Sequence, residues 1–287
     1  MANIRPRRSV LYMPGSNPRA LEKAQTLPAD ALILDLEDAV APDAKDVARK
    51  QVYDAVKARG FGKREIIIRI NGLSTPWGAE DLKAAVEANP DAILVPKISR
   101  PEDLHEIDGH IGHESAVRVW AMVETPLAIL NIQAIAAAGG RLSCFVMGTN
   151  DLIKEVRGIH TPDRMNLSAA LGLSVLAARA NGLVAIDGVY NDIQNADGFA
   201  ETCRQGRAFG FDGKTLIHPS QLEACNEIFA PSVAEVDAAR KVIAAFELPE
   251  NKGKGAIKVD GRMVELLHAE IARQTVALAD AIGEMKT

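Results

Sequence analysis

Val117-Arg-Val-Trp-Ala-Met-Val-Glu-Thr-Pro126 decides the fold. An apolar run, Val117–Val123, stops at an acid, a hydroxyl and a proline, and helical spacing then fills Pro126–Ala138. The run is nearly continuous rather than alternating. Both faces of the strand it predicts are therefore buried, the condition of a parallel strand covered by helices. The same order recurs on either side. Downstream, Cys144–Met147 leads through Gly148-Thr-Asn-Asp151 towards a helical stretch at Ser168–Asn181, then Gly182–Ile186, Asn195–Phe209 and Gly213–Ile217. Upstream, the apolar runs Ser9–Met13, Ala31–Leu36, Glu65–Ile70 and Ala92–Pro96 alternate with helical patterns at Pro18–Thr26, Ala44–Arg59 and Pro76–Ala88. Eight such runs predict an α/β protein of the (β/α)8, or TIM, barrel type. An open nucleotide-binding sheet would require a Gly-rich phosphate loop, and neither G-x-G-x-x-G nor G-x-x-x-x-G-K-[ST] occurs.

The barrel is expected over residues 1–230, with residues 231–287 as a C-terminal helical extension. The spacing predicts a helix at Gln221–Phe229 leading into that extension, and within it helices at Val233–Phe246 and from Met263 to Met285. Asn251-Lys-Gly-Lys-Gly255 reads as a flexible polar hinge before the last of them. The net charge of -5 argues against non-specific nucleic-acid binding, which needs a basic surface to displace counterions. Cys144, Cys203 and Cys225 are widely spaced and odd in number, as in a reducing compartment. No run reaches the roughly 20 apolar residues of a membrane span. The first apolar run is too short for a secretory leader, so the cytoplasm is the expected location.

In a barrel of this type the reactive side chains sit at the carboxyl ends of the strands. Those ends carry Asp35-Leu-Glu37-Asp38, Arg69-Ile-Asn71, Pro96-Lys97, Glu124-Thr125, Asn150-Asp151, Asp187-Gly188 and His218-Pro219. So many acids around one arginine raise one another's pKa unless cations offset them. Glu124 and Asp151 follow adjacent strands, and two carboxylates with open positions for water and substrate suit Mg2+. The lack of a His/Cys cluster argues against zinc. Each carboxylate can instead cap the helix after its strand. Arg69 suits a substrate carboxylate or carbonyl, or an ion pair with Glu37 or Asp38. His218 reads as a catalytic base or as a hydrogen-bonded spacer.

Arg8-Ser-Val-Leu-Tyr-Met-Pro-Gly15, Asp35-Leu-Glu-Asp-Ala-Val40, Arg69-Ile-Asn71, Val95-Pro-Lys97, Val123-Glu-Thr-Pro126, Gly148-Thr-Asn-Asp-Leu152 and Leu216-Ile-His-Pro219 occur in that order. Together they resemble the citrate lyase β-subunit-like family, which includes malyl-CoA and citramalyl-CoA lyases. The resemblance spans essentially the whole chain. It implies a carbon–carbon lyase that uses Mg2+, or Mn2+ in its place, to cleave or form a 3-hydroxyacyl-CoA, giving acetyl-CoA and a 2-keto acid. It implies Glu124 and Asp151 as metal ligands, with Glu124 also at the substrate, and Arg69 on the keto-acid portion. Glu37 and Asp38 fall beside the metal shell. Tyr12, Arg19 and Lys23 match the stretch near the CoA chain and its phosphates, and Ile217 and His218 lie near the thioester.

The resemblance further implies a homo-oligomer, a trimer or hexamer, whose C-terminal extension packs on a neighbouring subunit and delivers an acid to protonate the enolate. At that acid's motif this chain departs, reading Gly261-Arg-Met-Val-Glu265-Leu-Leu267 in place of Gly-Lys-Met-Ile-Asp-x-Pro. Glu265 is one methylene longer than the family's aspartate. The alternatives left open are a malyl-CoA thioesterase, a citrate lyase β subunit acting on a carrier-protein thioester, a CoA-independent 2-keto-acid aldolase, and a CoA-binding barrel without turnover.

Overall fold

The computed structural model describes residues 4–285. Its backbone divides into two compact units, one running from Arg7 to Phe229 and the other formed, among the described residues, by 4–6 and 230–285. The larger unit opens with β1 (Ser9–Pro14), α1 (Pro18–Ala24), β2 (Ala31–Asp35), α2 (Lys45–Ala58), β3 (Glu65–Arg69) and α3 (Gly78–Ala88). It continues through β4 (Ala92–Val95), α4 (Pro101–Ile111), β5 (Arg118–Val123), α5 (Pro126–Leu130), α6 (Ile132–Ala137) and β6 (Leu142–Met147). It ends with α7 (Thr149–Glu155), α8 (Ser168–Ala180), β7 (Val184–Asp187), α9 (Ala196–Phe209), β8 (Gly213–Leu216) and α10 (Leu222–Phe229).

The eight strands form a closed parallel barrel in sequence order, with β8 returning to β1. Alternate strand residues explain the continuous apolar runs. Ile33, Ile67, Leu94, Trp120, Met122 and Val146 fill the barrel interior. Their strand neighbours, among them Leu32, Leu34, Ile68, Ile93 and Phe145, pack outward in the main core with apolar residues of the helices. Register then decides what meets at the mouth, because Pro14 pairs with Asp35 and Asp35 pairs with Arg69. The opposite end is closed by ion pairs. Arg8 binds Asp30 through Nε and Nη2, each at 2.8 Å, and Arg7 reaches Glu65.

Several helices differ from the sequence reading. Pro101–Ile111, a stretch crowded with acids and histidines, is α4, and buries Leu104, Ile107 and Ile111 at helical spacing. The predicted Pro126–Ala138 helix breaks at Asn131 into α5 and α6. Asp151 lies in the first turn of α7, a short helix the apolar pattern did not mark.

The second unit holds α11 (Val233–Glu247), β9 (Ala256–Val259), β10 (Arg262–Glu265) and α12 (Leu266–Met285). Here two expectations are corrected. The last helix begins at Leu266, because Met263 belongs to β10. The Gly/Lys stretch leads first into an antiparallel hairpin, β9 pairing with β10, and not directly into that helix. Asp260 and Gly261 turn the hairpin with φ of 46° and 81°. Two successive positive-φ residues make the mirror-type turn whose twist matches the strands, and Asp-Gly is a preferred pair for it.

Candidate active site at the carboxyl-terminal mouth of the barrel

Arg69, at the end of β3, is the hub of the mouth. Its Nε and Nη2 grip Asp35, directly across in β2, at 2.7 and 2.6 Å. Nη1 reaches Glu37 at 3.0 Å and Asp38 at 3.1 Å. The guanidinium also lies 4.7 Å from the centre of the Tyr12 ring. Three of the five N–H donors a guanidinium carries are thus hydrogen-bonded to Asp35 and Asp38, and Glu37 adds an ion pair. Asp35 is buried and also accepts from the backbone N–H of Glu37 and Ala39, which fixes the loop bearing the other two acids. The sequence reading paired Arg69 with Glu37 or Asp38. Both contacts exist, but the bidentate partner is Asp35.

Behind this loop stands Lys45, which the sequence reading did not single out. Its buried ammonium donates to Leu36 O, Glu37 O and Asn71 Oδ1 at 2.7–2.8 Å. Asn71 is held in turn by Asp81. The Glu37 carboxyl is pushed up to about 8, first by burial, against the pull of Arg69, with Asp38, Glu124 and Asp35 adding repulsion.

The acids at the mouth gather around more than the single arginine expected. Asp187, ending β7, is fully buried between Arg164 Nη1 at 2.8 Å and Lys214 Nζ at 2.9 Å. Burial alone would raise its pKa, but Lys214 and Arg164 outweigh that and hold it ionised. Neither cation was anticipated. Arg164 lies in the irregular stretch before α8, and Lys214 looks out of place in an apolar strand.

Glu124 and Asp151 remain. Glu124 is 2% exposed, and its Oε1 accepts the backbone N–H of Lys97 at 2.8 Å. Its carboxyl is raised to about 7, by burial first and then by the Asp151 charge, while the Lys97 N–H, Arg69 and the Lys97 ammonium oppose the shift. Asp151 is half-buried, and its carboxylate meets no hydrogen-bond or ion-pair partner among the described residues. Between them Gly148 is required, since a Cβ there would lie 2.4 Å from Glu124 Cβ and 2.6 Å from Oε2. That gap leaves space against the free carboxylate oxygen. No group of three His, Cys, Asp or Glu residues converges on a metal position among the described residues. Two carboxylates, one buried and one unpartnered, with the remaining positions left to water and substrate, fit Mg2+ and do not fit zinc.

The other expected residues divide. Tyr12 lies under Arg69 and donates its hydroxyl to Met122 Sδ at 3.6 Å; burial pushes its phenol up. Arg19 and Lys23 stand exposed on α1 with no ion-pair partner among the described residues. Ile217 is 37% exposed. His218 is exposed, and its Nδ1 is shared between the hydroxyl and backbone N–H of Ser220, so it caps the turn Pro219–Gln221. Glu265 lies exposed at the end of β10 in the second unit. A cavity of about 430 Å³, bordered by Thr149, Arg164, Tyr190 and Asn191, opens beside α7, and neither Arg69 nor Glu124 lines it.

A closed parallel barrel whose mouth keeps two carboxylates without an ion-pair partner among the described residues, beside an arginine hub, is an architecture of (β/α)8 enzymes. The chain belongs to the HpcH/HpaI aldolase/citrate lyase family, whose model matches residues 8–219. It is 52% identical over 281 residues to a (3S)-malyl-CoA thioesterase of Cereibacter sphaeroides, covering 98% of this chain and 97% of that one. It is 35% identical to the citrate lyase subunit beta of Leuconostoc mesenteroides, over 98% and 96% of the two chains. Among solved structures it resembles protein CitE of Mycobacterium tuberculosis in complex with magnesium, acetoacetate and coenzyme A. There the TM-score is 0.78 and the identity 29%, over 95% of this chain and 97% of that one. No helix among the described residues is long and apolar enough to cross a membrane.

Proposed function

We propose that this chain is a Mg2+-dependent enzyme of a 3-hydroxyacyl-CoA, and that it hydrolyses the thioester of malyl-CoA. The reading is carried by Glu124 and Asp151, mouth carboxylates with no ion-pair partner among the described residues, beside the Arg69 hub. The choice of hydrolysis is supported by the likeness to the malyl-CoA thioesterase. Glu124 and Asp151 would hold Mg2+, or Mn2+ in its place. When bound, the ion supplies Lewis-acid polarisation and a chelation point for the substrate's hydroxyl and carboxylate oxygens. Arg69 offers an N–H to the substrate carboxylate. Glu37 and Asp38 orient the attacking water. The water oxygen adds to the thioester carbonyl carbon, the C–S bond breaks, and the proton released by water leaves with the CoA thiol. Arg19 and Lys23 neutralise CoA phosphates, Tyr12 packs along the chain, and Ile217 and His218 border the thioester end.

Carbon–carbon cleavage is the second reading, favoured by the family and by the citrate lyase relatives. The hydroxyl proton is lost, the C2–C3 bond breaks to a 2-keto acid and a thioester enolate, and the enolate takes a proton to become acetyl-CoA. Glu265 is the proposed donor, brought by residues 231–287 of a neighbouring subunit in a trimer or hexamer. Either reaction draws on the CoA pool of the cytoplasm, where we place the chain.

One assay separates the readings. The purified chain is given malyl-CoA, citramalyl-CoA and citryl-CoA with and without Mg2+, and free thiol and acetyl-CoA are both measured. Mg2+-dependent release of free CoA from malyl-CoA is expected. Acetyl-CoA as the product selects the second reading and rules out an obligate carrier protein. Neither product from any of the three would defeat both.

A further inference from the structure

Lys97 follows β4 at the mouth, and its backbone carries φ of +56°. A side chain is rarely held in this left-handed region, which glycine enters at no steric cost. The other non-glycine residues with positive φ have local reasons. Arg59 and Asn89 cap the ends of α2 and α3, Arg157 follows α7, and Asp260 turns the hairpin. Arg164 uses its buried guanidinium to bind Asp187. Lys97 caps no helix, sits in no hairpin turn and buries nothing.

The backbone at Lys97 has a clear task, because the turn aims its N–H at Glu124 Oε1, 2.8 Å away. The loop is held firmly in that pose. Ser99 Oγ donates to Lys97 O at 3.1 Å and meets Thr125 Oγ1 at 2.8 Å. Asp103 accepts from the N–H of Ser99 and Arg100, and Asn131 donates to Ser99 O. Glycine would perform all of this without strain. The side chain adds nothing to the fold, since the ammonium is exposed and has no hydrogen-bond or ion-pair partner among the described residues. It is nevertheless close enough to Glu124 to pull that carboxyl's pKa down.

We propose that Lys97 is a substrate-binding residue whose exposed ammonium, carried on the strained turn that binds Glu124 through its backbone N–H, pairs with an anionic group of the thioester substrate. The group is a carboxylate of the acyl portion or a phosphate of CoA. The inference rests on the function proposed above, so its test includes measurements that need no turnover.

Three proteins are compared: wild type, Lys97→Gly and Lys97→Arg. Affinities for malate and for CoA are measured separately by calorimetry with Mg2+ present. Losing one charge-assisted hydrogen bond should weaken one probe about tenfold or more in Lys97→Gly, and Lys97→Arg should recover most of it. A loss confined to malate places the ammonium on the carboxylate, and one confined to CoA places it on phosphate. In turnover, KM should rise by a similar factor while kcat stays within about threefold. The thermal midpoint and Mg2+ affinity should be unchanged or higher, since glycine relieves the strain and keeps the N–H on Glu124. Unchanged affinity for both probes in Lys97→Gly overturns the inference, as does a wild type that binds neither. A wild type that binds a probe but turns over no thioester defeats only the proposed function.

Discussion

Glu124 and Asp151 set the behaviour of the site towards both protons and metal. Without a cation, burial and mutual repulsion raise the Glu124 carboxyl to about 7, against an ordinary carboxylate value near 4.5. Between those values the folded chain holds a proton that the unfolded chain has released. The stabilisation from this group is therefore fully present below about 4.5 and lost as pH rises through about 7. Glu37, raised to about 8, acts with the same sign over a window reaching one unit higher. A bound cation competes with the Glu124 proton. Mg2+ affinity should fall by up to about tenfold per pH unit below 7 and level off above it, with proton release on binding. Calorimetry across this range, in buffers of differing ionisation enthalpy, reads both effects. An affinity independent of pH would remove Glu124 from the ligand set. At this scale the sequence revealed the reactive residue types through their positions after strands. It did not reveal their partners, because register across strands decides that Asp35, and not a neighbour in the same loop, grips Arg69.

Among the elements, the turn between β6 and α7 bears most directly on the site. Gly148 donates its N–H to Val123 O and leaves no Cβ to strike Glu124. Gly148→Ala should force the end of β5 and the start of α7 apart. It should cost about 1–3 kcal/mol of stability, as overpacking does, and weaken Mg2+ about tenfold or more through misplaced ligands. Thermal unfolding and metal titration on the same protein test the pair of effects, and a variant with unaltered Mg2+ affinity would show that this close approach is immaterial. The barrel strands were legible because burial on both faces leaves a continuous apolar run, as at Ala31–Asp35 and Glu65–Arg69. The hairpin β9–β10 was not legible, because its short strands are mostly exposed and sit among Lys and Gly. The Asp260-Gly261 pair was the available signal. For α4 the spacing of Leu104, Ile107 and Ile111 was present but diluted by acids and histidines.

Over the whole molecule, seven of the eight strand pairings of the barrel join neighbours in sequence, and one, between β1 and β8, spans nearly the full barrel. That junction is clasped from outside by α10, where Cys225 Sγ contacts Arg8 O and Asn226 Nδ2 donates to Pro28 O. Bringing Ser9 to Lys214 costs about 1.6 kcal/mol more chain entropy than bringing Ala31 to Glu65, from the logarithmic growth of loop closure with length. The sheet should consequently assemble as an open, growing arc and become a ring only at the end. In refolding followed by pulsed hydrogen exchange, the amides of Leu11 and Thr215 should gain protection after those of Ile67 and Ile93. Before that moment an unpaired strand stands exposed at each end of the arc, an invitation to edge-to-edge association between chains. The yield of refolding should therefore fall with chain concentration until the seam closes, a liability set by one junction of three residue pairs.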